Sequence, residues 1–331
     1  MTKMNCCNQN PVIIPPAGEK LCKMHFMEYF ENKVFKTITK FNLIEKKENM
    51  GVAISGGKDS LTLLHILNKL SKQNPKIKLT AILIDEGIKG YRDKTIKTAK
   101  KFCSKNKIKL NIYSYEKEFG IPLDKMLKAL NAKPCTLCGI FRRYLLNKKS
   151  KELGFTKLAT GHNLDDECQS ILMNQFKNNL HLSARLGPMV GINNNKNNSI
   201  KNNTINNKNN KLNNDNNSNI NFVQRIKPVY LCAEKETTIY AFSNNLLDSL
   251  TECHYVSESY RAQVRNMLND FEAKFPGTKH GIVNSFLGIL QDLKERFSNG
   301  KANFCKICGE AAARDKCNAC KYIEKIKKAV E

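Results

Sequence analysis

Nowhere in the chain do about 18 apolar residues follow one another, the length that a membrane-spanning helix needs. The opening MTKMNCCNQNPVIIPP also lacks the sustained apolar segment of a secretory signal, so a cytoplasmic protein without a membrane anchor is expected. Acidic residues are scarce: 30 Asp and Glu face 55 Lys and Arg, a net charge of +25. That imbalance attracts polyanions, and nucleic acid is the first candidate. Part of the excess is compositional, because Lys, Asn and Ile are abundant throughout. The Walker A pattern GxxxxGK(S/T) is absent, which excludes the commonest phosphate-binding loop. A secreted disulfide framework is excluded too. The 13 cysteines are odd in number and partly arranged as CxxC pairs, which in a cytosolic chain points to metal or redox chemistry.

What is present is an alternation. FMEYFENKVFKTITKF, residues 26–41, has helical spacing. Then MGVAIS reads as a buried strand, DSLTLLHILNKL as a helix, KLTAILID as a strand and RDKTIKTAKKFCSKN as a Lys-rich helix. IKLNIYSY reads as a third strand, CGIFRRYLLNKKSKELG as a helix ending at Gly154, and KLATG as a fourth strand. Strands alternating with helices predict an α/β fold, a parallel sheet covered on both faces. Residues 193–221 are mostly Asn, cannot bury enough apolar surface to offset their ordering entropy, and read as a disordered insertion. A strand and a helix come next, in VQRIKPVYLCAEKETTIYAFSNNL. Three domains are expected: an N-terminal module over 1–30, a catalytic domain over 31–275 and a helical, cysteine-bearing segment over 276–331.

Five groups of residues carry chemistry. Ser55-Gly56-Gly57-Lys58-Asp59-Ser60 sits between a strand and a helix, where free amides and the positive end of the helix dipole favour an anion. The glycines permit tight turning, the serines donate, and Lys58 adds a point charge; the bland alternative is a core strand turning into a core helix. Cys135 and Cys138, between Pro134 and Gly139, mark an exposed helix start that suits zinc, a disulfide or an iron–sulfur cluster. Cys253 stands alone and on its own reads as a buried thiol. Cys305, Cys308, Cys317 and Cys320 form two CxxC knuckles with the spacing of a four-thiolate zinc ribbon. Cys6, Cys7, Cys22 and His25 form a weaker zinc set, because adjacent cysteines diverge. In GHNLDDE, starting at Gly161, the acids suit a helix N-terminus; nucleotide or Mg²⁺ contact at the end of the sheet is the other reading.

SGGKDS, IDEGIKGYRD, CTLCGIFRR, ATGHNLDDE, RIKPVY and TECHY…YRAQVRNMLNDFE, in this order and with CxxC…CxxC after them, resemble the tRNA 2-thiouridine synthetases of the TtcA/TtuA group. The similarity is greatest to the branch containing the cytoplasmic tRNA 2-thiolation protein of eukaryotes and archaeal NcsA. The resemblance implies a PP-loop ATP pyrophosphatase fold flanked by zinc modules, and an enzyme that adenylates the 2-oxygen of wobble uridine and replaces it with sulfur. It implies ATP and Mg²⁺ bound by Ser55 to Ser60, with Lys58 and Asp59 catalytic, strand-end backbone at Ala53 and Leu83 lining the pocket, Gly161 beside it and Arg142 reaching the nucleotide. It implies a 4Fe–4S cluster on Cys135, Cys138 and Cys253, or persulfide on these cysteines. Zinc would occupy Cys305, Cys308, Cys317 and Cys320. At the N-terminus Met4 stands where the family has cysteine, so Cys6, Cys7, Cys22 and His25 depart from its CxxC plus CxxH set. Partners would be tRNA, held in part by Arg142, Arg143, Arg261 and Arg265, a sulfide or ubiquitin-like sulfur donor, and a second copy of the chain.

Three readings compete with wobble thiolation: 2-thiolation at tRNA position 54, another PP-loop tRNA-modifying ligase such as a lysidine-forming or amidotransferase-like enzyme, and an inactive RNA-binding zinc protein. The intact SGGKDS argues against the last.

Overall fold

The computed structural model describes residues 11–13, 20–191, 223–247, 251–255, 259–297, 303–312 and 314–330. Cys6, Cys7 and the Asn-rich segment 193–221 lie outside the described residues. In chain order the elements are β1 (Pro11–Ile13), β2 (Leu21–Cys22), α1 (Lys23–Lys40), β3 (Glu48–Ile54), α2 (Lys58–Gln73), β4 (Ile77–Asp85), α3 (Arg92–Lys105) and β5 (Lys109–Ser114). Next come α4 (Tyr115–Phe119), α5 (Leu123–Leu130), α6 (Pro134–Glu152), β6 (Lys157–Thr160), α7 (Leu164–Phe176), α8 (Leu180–Ser183), β7 (Met189–Val190) and β8 (Gln224–Ile226). The chain closes with α9 (Glu234–Ser243), α10 (Tyr260–Lys274), α11 (Thr278–Phe297), β9 (Asn303–Phe304), β10 (Ala311–Ala312) and α12 (Asn318–Val330).

Six strands form one sheet in the order β5-β4-β3-β6-β8-β7. All neighbours run parallel except β7, which is antiparallel to β8 at the edge. The alternation in the sequence thus folds as its pattern dictates. Side chains alternate between faces with the period of two that strands impose. Val52, Ala81, Leu83 and Ala159 enter one core with α1, α2 and α9. Ile82, Ile84 and Leu158 enter another, with Leu137, Phe141 and Leu145 of α6 and, from the C-terminal module, Cys305, Cys317 and Cys320. Helix α1 contributes Phe26, Phe30, Val34 and Ile38, a four-residue spacing that keeps one stripe turned inward. A third core joins α7, α10 and α11 through Leu164, Ile171, Val264, Leu268, Val283 and Phe286.

From β3 the chain moves outward through β4 to β5, then crosses back through α6 to place β6 on the other side of β3. Strand order therefore reverses between β3 and β6, and ligands of open α/β sheets bind at such a reversal, beyond the carboxyl ends of the strands. Among the described residues no helix is long and apolar enough to cross a membrane.

Candidate active site

The Ser55–Ser60 loop occupies that switch point. Gly56 has φ +81, and a Cβ there would fall 2.1 Å from the Thr95 carbonyl oxygen, so backbone sign and close approach both require glycine. The Ser60 hydroxyl ties the loop together: it accepts from the Ser55 amide at 3.1 Å and donates to the Gly57 carbonyl at 2.9 Å. The loop then opens α2, whose first amides have no intrahelical partner. Gly161, just past β6, lies against the Asp59–Ser60 backbone, where a Cβ would approach within 3.0 Å.

Lys58 Nζ lies 2.9 Å from Asp59 Oδ2 and 2.7 Å from Glu234 Oε1 at the start of α9. Burial works against its charge, but Asp59 and Glu234 outweigh it and raise the ammonium pKa. Asp59 Oδ1 accepts from Thr237 Oγ1 and, at 3.2 Å, from Asn163 Nδ2.

The loop forms one side of a cavity of about 440 Å³ that is also lined by Cys135, Cys138, Arg142, Cys253 and Arg265. Cys135 and Cys138 project from the first turns of α6, which Pro134 opens with a φ already suited to a helix. The Cys138 sulfur accepts from Arg142 Nη2 at 2.8 Å, and the Cys135 sulfur lies 3.6 Å from the Tyr255 carbonyl. Burial pushes the Cys138 thiol up despite Arg142, and pushes Cys253 up as well. A smaller cavity of about 180 Å³ lies on the other side of Asp59, lined by Asn163, Asp166, Glu234, Arg261 and Arg265.

A model of the PP-loop domain matches residues 27–224. The tRNA 2-thiolation protein NcsA of Haloferax volcanii is 34% identical over 327 residues, covering 94% of each chain. The cytoplasmic tRNA 2-thiolation protein 1 of Drosophila erecta is 31% identical over 330 residues, covering 99% of this chain and 88% of that one. The chain belongs to the PP-loop tRNA 2-thiolation proteins. The solved structure of U34-tRNA thiolase NcsA from Methanococcus maripaludis, which holds a 4Fe-4S cluster, superposes with a TM-score of 0.76 at 30% identity, covering 98% of this chain and 97% of that one.

The structure brings together Ser55, Gly56, Gly57, Lys58, Asp59, Arg142 and all three cysteines expected at one site. Four other expected nucleotide contacts, Ala53, Leu83, Ser60 and Gly161, are not among the residues lining this cavity. Ala53 and Leu83 were expected to offer strand-end backbone to the nucleotide; their side chains pack in the cores on opposite faces of the sheet, because strand residues alternate. Ser60 and Gly161 shape the loop rather than line the cavity. In GHNLDDE the acids divide. Asp165 pairs with Lys279 and accepts from the Glu234 amide at 2.6 Å, and Glu167 pairs with Lys227 at 2.6 Å. Asp166 caps α7 together with Asn163 and borders the smaller cavity, where burial and nearby Asp59 push its carboxyl up to about 6. Arg261 is engaged by Gln169 and Ser170 at 3.0 and 3.1 Å.

The sulfur atoms of Cys305, Cys308, Cys317 and Cys320 lie within 4.8 Å of one another. Gly309, at φ +69, closes the first knuckle, which the β9–β10 ribbon flanks. The module docks on α6 through Glu310, which accepts from Asn147. At the N-terminus the Cys22 sulfur lies 3.3 Å from His25 Nδ1. The sequence alone does not single out Glu86, Arg92, Glu234 or Thr237. Glu86 and Arg92 belong to the IDEGIKGYRD motif, but only the fold turns them toward the loop.

Proposed function

We propose that this chain is an ATP-dependent tRNA thiolase that converts uridine at wobble position 34 to 2-thiouridine in the cytoplasm. The observation that carries the reading is the shared cavity, in which a phosphate loop faces three cysteines. The names of its relatives, which are tRNA 2-thiolation proteins, support the same reaction.

The 2-carbonyl of uracil is a weak electrophile and its oxygen a poor leaving group, so it must be activated. Its oxygen would attack the α-phosphate of ATP, and pyrophosphate would leave. The loop amides and Lys58 would stabilise the charge developing on the phosphates, with Lys58 released from Glu234 as they arrive. Asp59 would hold Mg²⁺. Sulfide would then attack C2, and AMP would depart with the original oxygen.

Cys135, Cys138 and Cys253 suit a 4Fe–4S cluster, because its thiolates bind different irons and need to ring a space rather than crowd a point. Such a cluster, when bound, leaves one iron without a protein ligand, where an external sulfur can be held. The four C-terminal sulfurs, by contrast, converge as a single tetrahedral zinc requires. The N-terminal zinc set, a sulfide or ubiquitin-like thiocarboxylate donor and a homodimer belong to the same reading. In this reading Arg143, Arg261 and Arg265 hold RNA phosphates, and Arg142 reaches the nucleotide.

The test is anaerobic incubation of the chain with ATP, Mg²⁺, sulfide and unmodified tRNA, then mass spectrometry of nuclease fragments. Thiouridine at position 34, together with AMP and pyrophosphate, is expected. Thiouridine at position 54 would move the assignment, and nucleotide turnover without thiouridine would refute it.

A further inference from the structure

One carboxylate beside the cavity has no place in the chemistry above. Glu86 lies immediately after β4 and is 0% exposed. A buried carboxylate is costly unless its charge and lone pairs are met. Here they are met by two arginines from different helices. Arg92 of α3 donates from Nη2 to Glu86 Oε1 at 2.7 Å and from Nε to Oε2. Arg142 of α6 places Nε 2.7 Å from Oε1. Together they outweigh burial and hold the Glu86 carboxyl below the usual range.

Each arginine also contacts a residue that lines the cavity, one in the phosphate loop and one in the cysteine pair. Arg92 Nη1 donates to the Ser55 carbonyl, in the phosphate loop, at 2.7 Å. Arg142 Nη2 donates to the Cys138 sulfur at 2.8 Å. The Glu86 backbone is itself fixed, because its carbonyl accepts from the Leu123 amide at 2.8 Å. Arg92 is sealed in, with 4% of its side chain exposed, whereas Arg142 is 44% exposed and faces the cavity. One arginine serves the frame of the loop, then, and the other is open to a ligand.

We propose that Glu86 is a positioning residue that joins the two halves of the cavity. Through Arg92 it sets the pose of the phosphate loop, and through Arg142 it holds a guanidinium between Cys138 and the phosphates of an incoming nucleotide. The inference rests on the reading that a nucleotide occupies this cavity. It assigns the nucleotide affinity of the loop partly to a residue that touches neither nucleotide nor sulfur.

The experiment is calorimetric titration of the full chain with a non-hydrolysable ATP analogue, for the wild type, Glu86→Asp, Arg142→Gln and the double variant. Glu86→Asp keeps the buried charge but shortens the arm, so it folds and cannot span both arginines. Glu86→Asp and Arg142→Gln should each weaken analogue binding by at least about tenfold, the worth of a charge-assisted hydrogen bond. The double variant should fall within about threefold of the weaker-binding single variant, because contacting residues that act as a unit are not additive. Thermal unfolding is monitored in parallel. A purely structural role would lower the melting temperature of Glu86→Asp and leave its analogue affinity within about twofold of wild type. That result, or effects that simply add, overturns the inference and leaves the proposed function standing. No analogue binding by the wild type would overturn both.

Discussion

Gly56 and Gly57 are neighbours in the sequence and unequal in the structure. Gly56→Ala puts a side chain at φ +81, which costs roughly 1–2 kcal/mol for a residue with a Cβ. It also drives that Cβ to 2.1 Å from the Thr95 carbonyl oxygen and 2.7 Å from its carbon. These are backbone atoms of α3, so no rotamer change relieves the overlap; the helix or the loop must retreat by roughly 1 Å to reach ordinary contact. The combined loss should be about 3 kcal/mol, a fall of roughly 4 °C in Tm for a chain of this size. A loop displaced that far should also lose about 100-fold in turnover. Gly57→Ala is the control. Gly57 has φ −90, and a Cβ there meets nothing nearer than the Ser55 hydroxyl at 3.4 Å, so the loss of this cap should stay under about 1 kcal/mol. Thermal unfolding and thiouridine formation by both variants decide the matter. Equal behaviour of the two would refute the geometric argument for the loop.

Anaerobically purified protein should contain about four irons and four acid-labile sulfides per chain beyond its zinc, lost in Cys135→Ala, Cys138→Ala and Cys253→Ala. Elemental analysis that finds zinc alone, unchanged by these substitutions, would remove the cluster and leave a persulfide route. One zinc per chain should be held by the C-terminal knuckles, so Cys308→Ser should abolish it and expose the ribbon to limited proteolysis, with the loss read by mass spectrometry. The His65 imidazole, whose pKa burial and nearby Lys69 push down from 6.5 to about 4, is protonated more readily in the unfolded chain. Stability at pH 7 should therefore be lost progressively as pH falls from 6.5 towards 4, and His65→Leu should flatten that part of the denaturation profile.

The central strands of the sheet were legible because their signal is local: near-continuous apolar runs alternate with helical spacing, and β3, β4 and β5 follow one another through single helices. The phosphate loop was legible for the same reason, since Ser55 to Ser60 are contiguous. What escaped lies in pairings across long separations. Nothing in EKE shows that Glu234 reaches Lys58, 176 residues earlier. Nothing in LDDE shows that Asp165 is consumed by Lys279 while Asp166 stays open to a cavity. That the side chains of Ala53 and Leu83 enter cores on opposite faces of the sheet follows from the strand period once the strands are placed. Cys253, a bland thiol in the bare sequence, reaches the CxxC pair only through tertiary folding.

The edge of the sheet has a practical consequence. Val190 on β7 stands opposite Arg225 on β8, so the chain leaves the sheet and rejoins it at paired positions. Whatever joins two such positions can lengthen or shrink without altering the register, and the entropic cost of a longer loop grows only with the logarithm of its length. The site is therefore a natural splice point. An experimenter can place an affinity tag or a fluorescent reporter between these two positions while the phosphate loop stays in place.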